Sequence, residues 1–166
     1  MLIALKEKLL ENRTVLLRFI EKLDEEDLKC SKKSGWTVSE VIEHIFLVEK
    51  NVTKGIRYYA NQPKNEPAEE KPIHLVLDRT RKIEAPSTVR PKGGSISMQK
   101  HFENLNLSRE FLFQTLEEID EHLLTQRSFP HETFGPLTLL QWIEVLAYHD
   151  IRHLEQLKDI LNDVGK

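Results

Sequence analysis

The chain has 166 residues, of which 39% are hydrophobic and 31% charged, with a formal net charge of -3. This composition is typical of a folded domain and excludes a disordered chain. The slightly negative charge argues against nucleic acid or an anionic membrane as a partner. A single cysteine, Cys30, excludes a disulfide framework and fits a reducing cytoplasm. No apolar run approaches the ~18 residues that a membrane span needs, so we expect a cytoplasmic protein.

The first amphipathic helix is predicted over residues 2–23, where apolar residues recur at three- and four-residue steps. The polar segment 24–35 that follows is predicted as a connection. A second helix is predicted to begin at Thr37, because Thr37 and Glu40 have the spacing of a capping box. We expect this helix to end near Asn61.

The segment 61–95 has a different composition, because it contains five of the seven prolines of the chain. Proline removes a backbone donor and interrupts helices, so this segment is predicted as an extended crossover with at most short structure around 73–83. Such a long loop is uncommon and is often functional. It is also long enough to run the height of a helix bundle, so the helices before and after it can be parallel neighbours.

The third helix is predicted over 97–124, and a loop over 125–136 separates it from the fourth helix. The fourth helix begins with a second capping box, from Thr138 to Gln141, and is predicted to run to 161. Four amphipathic helices without a credible set of strands predict an all-α four-helix bundle that forms a single domain over 1–166.

Two histidines of the fourth helix, His149 and His153, are four residues apart. This spacing places them on one face, one turn apart, as in helical two-histidine metal sites. Trp142 and Leu146 lie on the same face, which is therefore predicted to point into the core. The spacing alone is more often that of two solvated histidines. Burial favours a metal, because two adjacent buried imidazoles are otherwise hard to satisfy with hydrogen bonds.

His44 on the second helix is the third candidate ligand, and it shares a face with Val41 and Val48. A lone histidine in this position is more often a hydrogen-bonded core residue. Together with His149 and His153 it provides three neutral nitrogen ligands, which leave a coordination position open for water or substrate. The sequence therefore predicts one divalent metal ion on these three residues, in the pattern of a catalytic site.

Polar neighbours of these histidines are candidate catalytic residues. Glu40 fits the capping box, and its alternative role is to orient a ligand histidine. Gln156 could satisfy a buried polar neighbour or hold a metal-bound water, and Arg152 could bind an anionic substrate group. His131 could border the opening of a cleft.

The remaining motifs are weaker. The other histidines lack partners at ligand spacing and are predicted to lie on the surface: His74, His101 and His122. Trp36 and Trp142 are predicted as core aromatic residues near helix starts. We find no Gly-rich phosphate loop, nucleophile elbow or Cys-x-x-Cys motif, so the corresponding enzyme classes are not indicated.

Three stretches of sequence carry a family resemblance: GWTVSEVIEH at 35–44, FGPLTLLQW at 134–142 and HDIRHLEQ at 149–156. In these motifs and in the order of its predicted helices, the chain resembles the DinB/YfiT-like superfamily over nearly its whole length. The resemblance implies an up-down-down-up bundle in which His44, His149 and His153 bind the metal. It also implies zinc or nickel as the metal and a homodimer as the assembly. Members of known activity include transferases and isomerases that use low-molecular-weight thiols, and others have been labelled hydrolases.

Three functions stay open, and the first two are enzymes that act on small molecules. The first is a thiol S-transferase, in which the metal stabilises the thiolate of a cofactor such as bacillithiol. The second is a metal-dependent hydrolase that activates a water molecule. The matched motifs contain no obvious general base for it, although Glu40 or Glu43 could be nearby. The third is a non-catalytic bundle that binds a ligand or partner. The crossover 61–95 contains no motif that identifies a substrate.

Overall fold

Four long helices dominate the structure, a computed structural model that describes residues 1–33, 35–63, 65–80 and 83–165. A short helix and two strands lie between the third and fourth long helices. Within the described residues, no helix combines the length and apolar character needed to cross a membrane. The elements are α1 (Leu2–Ile20), α2 (Val38–Ala60), α3 (Met98–Glu118), α4 (Leu123–Gln126), β1 (Ser128–His131), β2 (Gly135–Thr138) and α5 (Leu139–Asp163).

The two long helices joined by the crossover, α2 and α3, run in the same direction. Near their starts, the Ser39 hydroxyl lies 2.8 Å from Nε2 of His101. Near their ends, Arg57 forms a 3.0 Å ion pair with Glu118. Because starts pair with starts and ends with ends, the helices are parallel, as the length of the crossover predicted.

Helices α1 and α5 are parallel to each other and antiparallel to the middle pair. The Asn12 side chain of α1 donates to the Ala147 carbonyl of α5 at 2.9 Å. One half of the core combines the first halves of α1 and α5, and the other half combines their second halves. Lys6 near the start of α1 lies 3.8 Å from Glu117 near the end of α3. The predicted all-α, up-down-down-up four-helix bundle is therefore confirmed.

Both predicted capping boxes are present and fix the starts of α2 and α5. The Thr37 hydroxyl accepts from the Glu40 backbone N–H at 3.2 Å, and the Thr37 backbone N–H donates to the Glu40 carboxylate at 2.8 Å. Thr138 and Gln141 make the equivalent contacts at 3.1 and 3.4 Å. Each box satisfies backbone donors that the first turn of a helix leaves without an intrahelical partner.

The region after α3 departs from the sequence prediction. The third helix ends at Glu118 and not near 124, because Ile119 adopts an extended backbone conformation. The predicted loop 125–136 instead contains most of a β-hairpin, in which His131 pairs with Gly135 across the turn. Gly135 has φ of 72°, a left-handed conformation that is readily available to glycine and allows the tight turn. The indole N–H of Trp142 donates to the Phe129 carbonyl at 3.1 Å and anchors the hairpin to α5.

The hairpin also packs against α2 at Gly55, where a larger residue would not fit. A Cβ atom at this position would lie 2.8 Å from the Phe129 ring. That ring is stacked between Tyr59 and Trp142, with centroid distances of 5.0 and 4.4 Å, so it cannot move aside freely. The close approach of α2 and the hairpin therefore depends on the absence of a side chain at Gly55.

We expect Gly55→Ala to destabilise the protein by about 1–2 kcal/mol, because overpacking outweighs the gain in helix propensity. Urea unfolding monitored by circular dichroism measures this change. The exposed neighbour Lys54, changed to alanine, is the control and should leave the free energy of unfolding nearly unchanged. A Gly55→Ala protein more stable than the wild type would contradict the packing argument.

The crossover contains two short 3-10 turns, Ile73–Leu77 and Ser87–Val89. The first lies within the predicted region of short structure, 73–83, of which residues 81 and 82 lie outside the described residues. Nη1 of Arg152 on α5 donates to the carbonyls of Val76 and Asp78 at 2.7 and 2.6 Å. The Arg152 side chain therefore holds this part of the crossover against α5.

His101 is buried, so its predicted surface position is wrong. Only 1% of the residue is exposed, and its Nε2 contacts the Ser39 hydroxyl. His74 and His122 are exposed, as predicted. The aromatic prediction holds for Trp142, which is buried, whereas Trp36 is only partly buried and packs at the edge of the core.

We expect His101 to make the protein less stable in acid. Burial lowers the pKa of His101 from 6.5 to about 4, so below 6.5 the unfolded chain binds a proton that the folded chain does not. The stability that neutral His101 contributes is fully present above pH 6.5 and is lost progressively as the pH falls towards 4. From pH 7 to pH 5 this amounts to about 2 kcal/mol.

Urea unfolding at these two pH values measures the effect, with His101→Gln compared directly with the wild type. The variant should lose less stability on acidification than the wild type does. An equal loss in both proteins would assign the acid sensitivity to other groups. His122→Gln, at an exposed position, is the matched control and should behave as the wild type.

Candidate metal centre

Three histidine rings from two helices converge at the centre of the bundle. Nε2 of His149 lies 3.3 Å from Nε2 of His44 and 3.0 Å from Nε2 of His153. One ligand nitrogen from each ring lies within 4.8 Å of the other two. His44 and His153 are each 6% exposed, and His149 is partly buried. The four-residue spacing on α5 and the antiparallel packing of α2 bring these rings together, and we call them the histidine centre.

The outer nitrogens of two rings have carbonyl partners, which determines where their protons lie. Nδ1–H of His44 donates to the Val89 backbone carbonyl at 2.8 Å. Nδ1–H of His153 donates to the Gln156 side-chain carbonyl at 2.7 Å. A neutral imidazole carries one proton, so Nε2 of each ring presents a lone pair to the centre.

The donor set of the histidine centre fits a divalent cation. His149 Nε2 carries at most one proton, so it cannot donate to both His44 and His153 at once, and a buried lone pair remains unsatisfied. A tetrahedral ion with nitrogen ligands at about 2.0–2.1 Å holds those nitrogens about 3.3 Å apart, close to the spacing seen here. The contacts of Val89 and Gln156 are of the kind that orient ligand histidines.

Burial keeps the histidine centre neutral at physiological pH. It lowers the pKa of His44, and it lowers the pKa of His149 well below its ordinary value of 6.5. Burial, with the charge that a protonated His44 would carry, lowers the pKa of His153 to about 3. The positive charge of Arg152 lowers all three pKa values further. Neutral imidazole is the form that binds metal ions.

The three candidate catalytic residues make different contacts in the structure. Gln156 contacts His153, in the predicted role of satisfying a buried polar neighbour. Arg152 lines the cleft, but its Nη1 holds the crossover. Glu40 caps α2, and the contact that orients His44 comes from the Val89 carbonyl and not from a carboxylate.

An open cleft of about 1230 Å³ reaches the histidine centre. One end of its wall carries charged side chains, including Arg79, which is paired with Asp159, and Arg90, which is paired with Glu84. The other end is formed by aromatic residues of the hairpin and α5. His131 lines this end, as the sequence suggested it could. The candidate centre is therefore open to a small molecule.

Sequence reasoning missed a set of buried charges beside this centre: Arg13, Glu49, Arg109 and Asp150, which we call the buried ion cluster. Arg13 contacts Glu49 at 2.9 Å and Asp150 at 3.0 Å. Arg109 contacts the same two carboxylates at 2.7 and 2.9 Å. Each member is at most 5% exposed. The available signal was Arg13, which occupies an apolar position of the α1 stripe four residues after Leu9.

Comparison with known proteins agrees with this fold. A sequence relative, YuaE of Bacillus subtilis (strain 168), is 31% identical over 143 residues, which cover 84% of this chain and 88% of YuaE. The four-helix bundle protein TT2238 superposes with a TM-score of 0.66 at 22% identity, over 96% of this chain and 99% of that one.

YfiT from Bacillus subtilis superposes with a TM-score of 0.65 at 15% identity, over 98% of this chain and 87% of that one. That protein is described as a probable metal-dependent hydrolase with an unusual four-helix bundle topology. The sequence profile of the DinB superfamily matches residues 8–157. This match covers all three residues of the histidine centre, and the chain therefore belongs to the DinB superfamily.

Proposed function

We propose that this protein is a metal-dependent enzyme that acts on small molecules. The observation that carries the proposal is the convergence of three Nε2 atoms, from His44, His149 and His153, beside an open cleft. Three protein ligands would leave a divalent ion with a free position, as in catalytic sites. When bound, the ion would supply Lewis acidity that favours the deprotonated form of a thiol or of water.

The residues around the centre would position the ligands and control solvent. Val89 and Gln156 hold the outer nitrogens of His44 and His153, so these rings keep the tautomer that a metal needs. Trp36 packs against the His44 ring at a centroid distance of 4.9 Å and limits access from that side. Arg152 would attract an electron-rich substrate group towards the cleft.

The first candidate reaction is S-transfer from a low-molecular-weight thiol. The thiolate sulfur would bond to an electrophilic carbon, and the leaving group would depart with the bonding electron pair. This chemistry suits the site because the two side chains seen in contact with the histidine rings, Trp36 and Gln156, are not proton acceptors. Two of the acidic residues that line the cleft, Glu84 and Asp159, are paired with arginines and so are poorly placed to accept protons. A thiol of lowered pKa needs no such base.

The second candidate reaction is hydrolysis, and the similarity to YfiT, described as a probable metal-dependent hydrolase, favours it. The same Lewis acidity would activate water for attack on an ester or amide. This reaction would benefit from a general base, for which the cleft offers Glu132 at its hairpin end.

The decisive experiment compares protein purified without a polyhistidine tag in metal-loaded and chelator-treated forms. One arm mixes thiols, including bacillithiol, with a chloro-aromatic or epoxide acceptor, and the other offers a panel of esters and amides. Metal-dependent conjugation supports the transferase, and metal-dependent hydrolysis supports the hydrolase. Stoichiometric metal with neither activity would favour the non-catalytic bundle. Zinc or nickel as the metal, the homodimer and the cytoplasmic location stay predictions.

A further inference from the structure

The ring of His131 is held rigidly at the hairpin end of the cleft. It lies at the last position of β1, and its centroid is 5.0 Å from that of Trp142 and 5.0 Å from that of Phe134. Gly135 pairs with it across the turn. Two aromatic neighbours and a tight turn therefore fix the position of this imidazole, which lines the cleft.

Backbone contacts decide which nitrogen of His131 carries the proton. Nδ1 accepts from the backbone N–H of Thr133 at 3.0 Å and lies 3.4 Å from the N–H of Phe134. A nitrogen that accepts has a lone pair, so the proton of the neutral ring lies on Nε2. Partial burial lowers the pKa of His131 and favours this neutral ring. Within the described ranges of the chain, no hydrogen-bond acceptor contacts Nε2–H.

Between His131 and the histidine centre the cleft wall is mainly apolar. We call this stretch the apolar lane, which consists of Val48, Val52, Val145 and Trp142. Val48 and Val52 follow His44 at four-residue steps on α2, and Val145 and Trp142 precede His149 on α5. Because α2 and α5 are antiparallel, both rows lead from the histidine centre towards the hairpin. The seven residues from Trp142 to His149 correspond to about 10 Å along the helix.

We propose that His131 is a substrate-binding residue whose Nε2–H donates to an uncharged oxygen acceptor at the far end of an elongated, mainly apolar substrate. This inference rests on the proposed function, because it places the reacting end of the substrate at the histidine centre. The substrate class is a small molecule that spans about 10 Å, with an apolar body and a distal carbonyl or similar acceptor. A donor that is held in place and partly shielded from water discriminates against an analogue that lacks the acceptor.

Two matched probes test the inference on the metal-loaded protein. Each is a straight-chain hydroxamic acid, whose hydroxamate binds metal and whose chain matches the apolar lane in length. One chain ends in a methyl ketone and the other in an isopropyl group. Isothermal titration calorimetry should show the ketone probe binding the wild type about fivefold to tenfold more tightly.

The variant His131→Phe should abolish this preference and leave the affinity for the isopropyl probe nearly unchanged. His131→Gln keeps a hydrogen-bond donor and an acceptor, so it should retain part of the preference. It replaces His131→Phe as the test variant if the loss of the Nδ1 contacts unfolds the hairpin. In the metal-free wild type, imidazole nitrogen chemical shifts in NMR should show the proton of His131 on Nε2. This measurement depends on neither the metal nor the probes.

The outcomes separate this inference from the proposed function. If both probes bind in a metal-dependent manner but equally tightly, the histidine centre stands and the role of His131 is overturned. A preference that survives in folded, metal-loaded His131→Phe also overturns it. If neither probe binds the metal-loaded protein, the proposed function fails, and the inference fails with it.

Discussion

We expect the His149→Ala variant to lose its divalent metal, with an affinity reduced more than about 100-fold. The loss of partners that only orient ligands typically costs about 10–100-fold, and removal of a ligand should exceed that. His149 lies between His44 and His153, and its loss leaves the ion with only two protein ligands, which bind it more weakly than three. Titration of the metal-free protein against a chromophoric chelator competitor measures the change.

The same variant should abolish stabilisation by metal. At a thousandfold excess over its Kd, a ligand that binds only the folded state adds about 4 kcal/mol, which raises the Tm of a protein of this size by about 10 °C. His149→Ala should show little of this shift. His122→Ala removes an exposed histidine and is the control, so its metal-dependent rise in Tm should equal that of the wild type. The rise in Tm of Gln156→Leu should lie between those of His122→Ala and His149→Ala. Equal metal affinity in wild type and His149→Ala would contradict the assignment of the centre.

The second large effect is expected at Glu49, where alanine should destabilise the fold by about 3–5 kcal/mol. Glu49 is 2% exposed and accepts hydrogen bonds from Arg13, Arg109 and Ser108. Without it, two buried guanidinium groups would share the single carboxylate of Asp150. A buried charge without a compensating partner costs far more than the lost attraction alone. Urea unfolding of the wild type and the variant measures the difference.

The matched control is Glu155→Ala, which removes an exposed carboxylate paired with Lys158 on α5. Exposed pairs contribute about 0–1 kcal/mol, so this variant should behave almost as the wild type. Glu49→Gln keeps the shape of the side chain but removes its charge, and should also be clearly destabilised. A loss below about 1 kcal/mol for Glu49→Ala would mean that the buried ion cluster contributes little to the fold.

The bundle could be predicted because its signals are local. Helix positions follow from apolar residues at three- and four-residue steps, and the starts of α2 and α5 follow from Thr37 and Thr138 three residues before Glu40 and Gln141. The boundary after α3 was misplaced, since Ile119 continues the apolar pattern although its backbone leaves the helix. Spacing describes which face a residue would occupy and not whether the helix continues.

The pairing of His149 with His153 was likewise a property of one helix. The approach of His44 was expected from an apolar face and from the family resemblance, and the antiparallel packing of α2 against α5 brings it within 3.3 Å. Its partner, the Val89 carbonyl, belongs to the crossover and had no recognisable sequence signal. A backbone carbonyl carries no residue identity, so no motif could have predicted this contact.

The sequence by itself determined four helices, two caps and the histidine types and spacing of a metal centre, because each depends on residues within a few turns of one another. Only the tertiary structure decided the burial of His101, the hairpin that presents His131, and the buried ion cluster. The contacts of His101 and of the buried ion cluster join residues that are 36 to 137 positions apart in the chain, and the hairpin packs against the distant helix α2. Long-range contacts of this kind depend on how whole helices pack, which local periodicity does not encode.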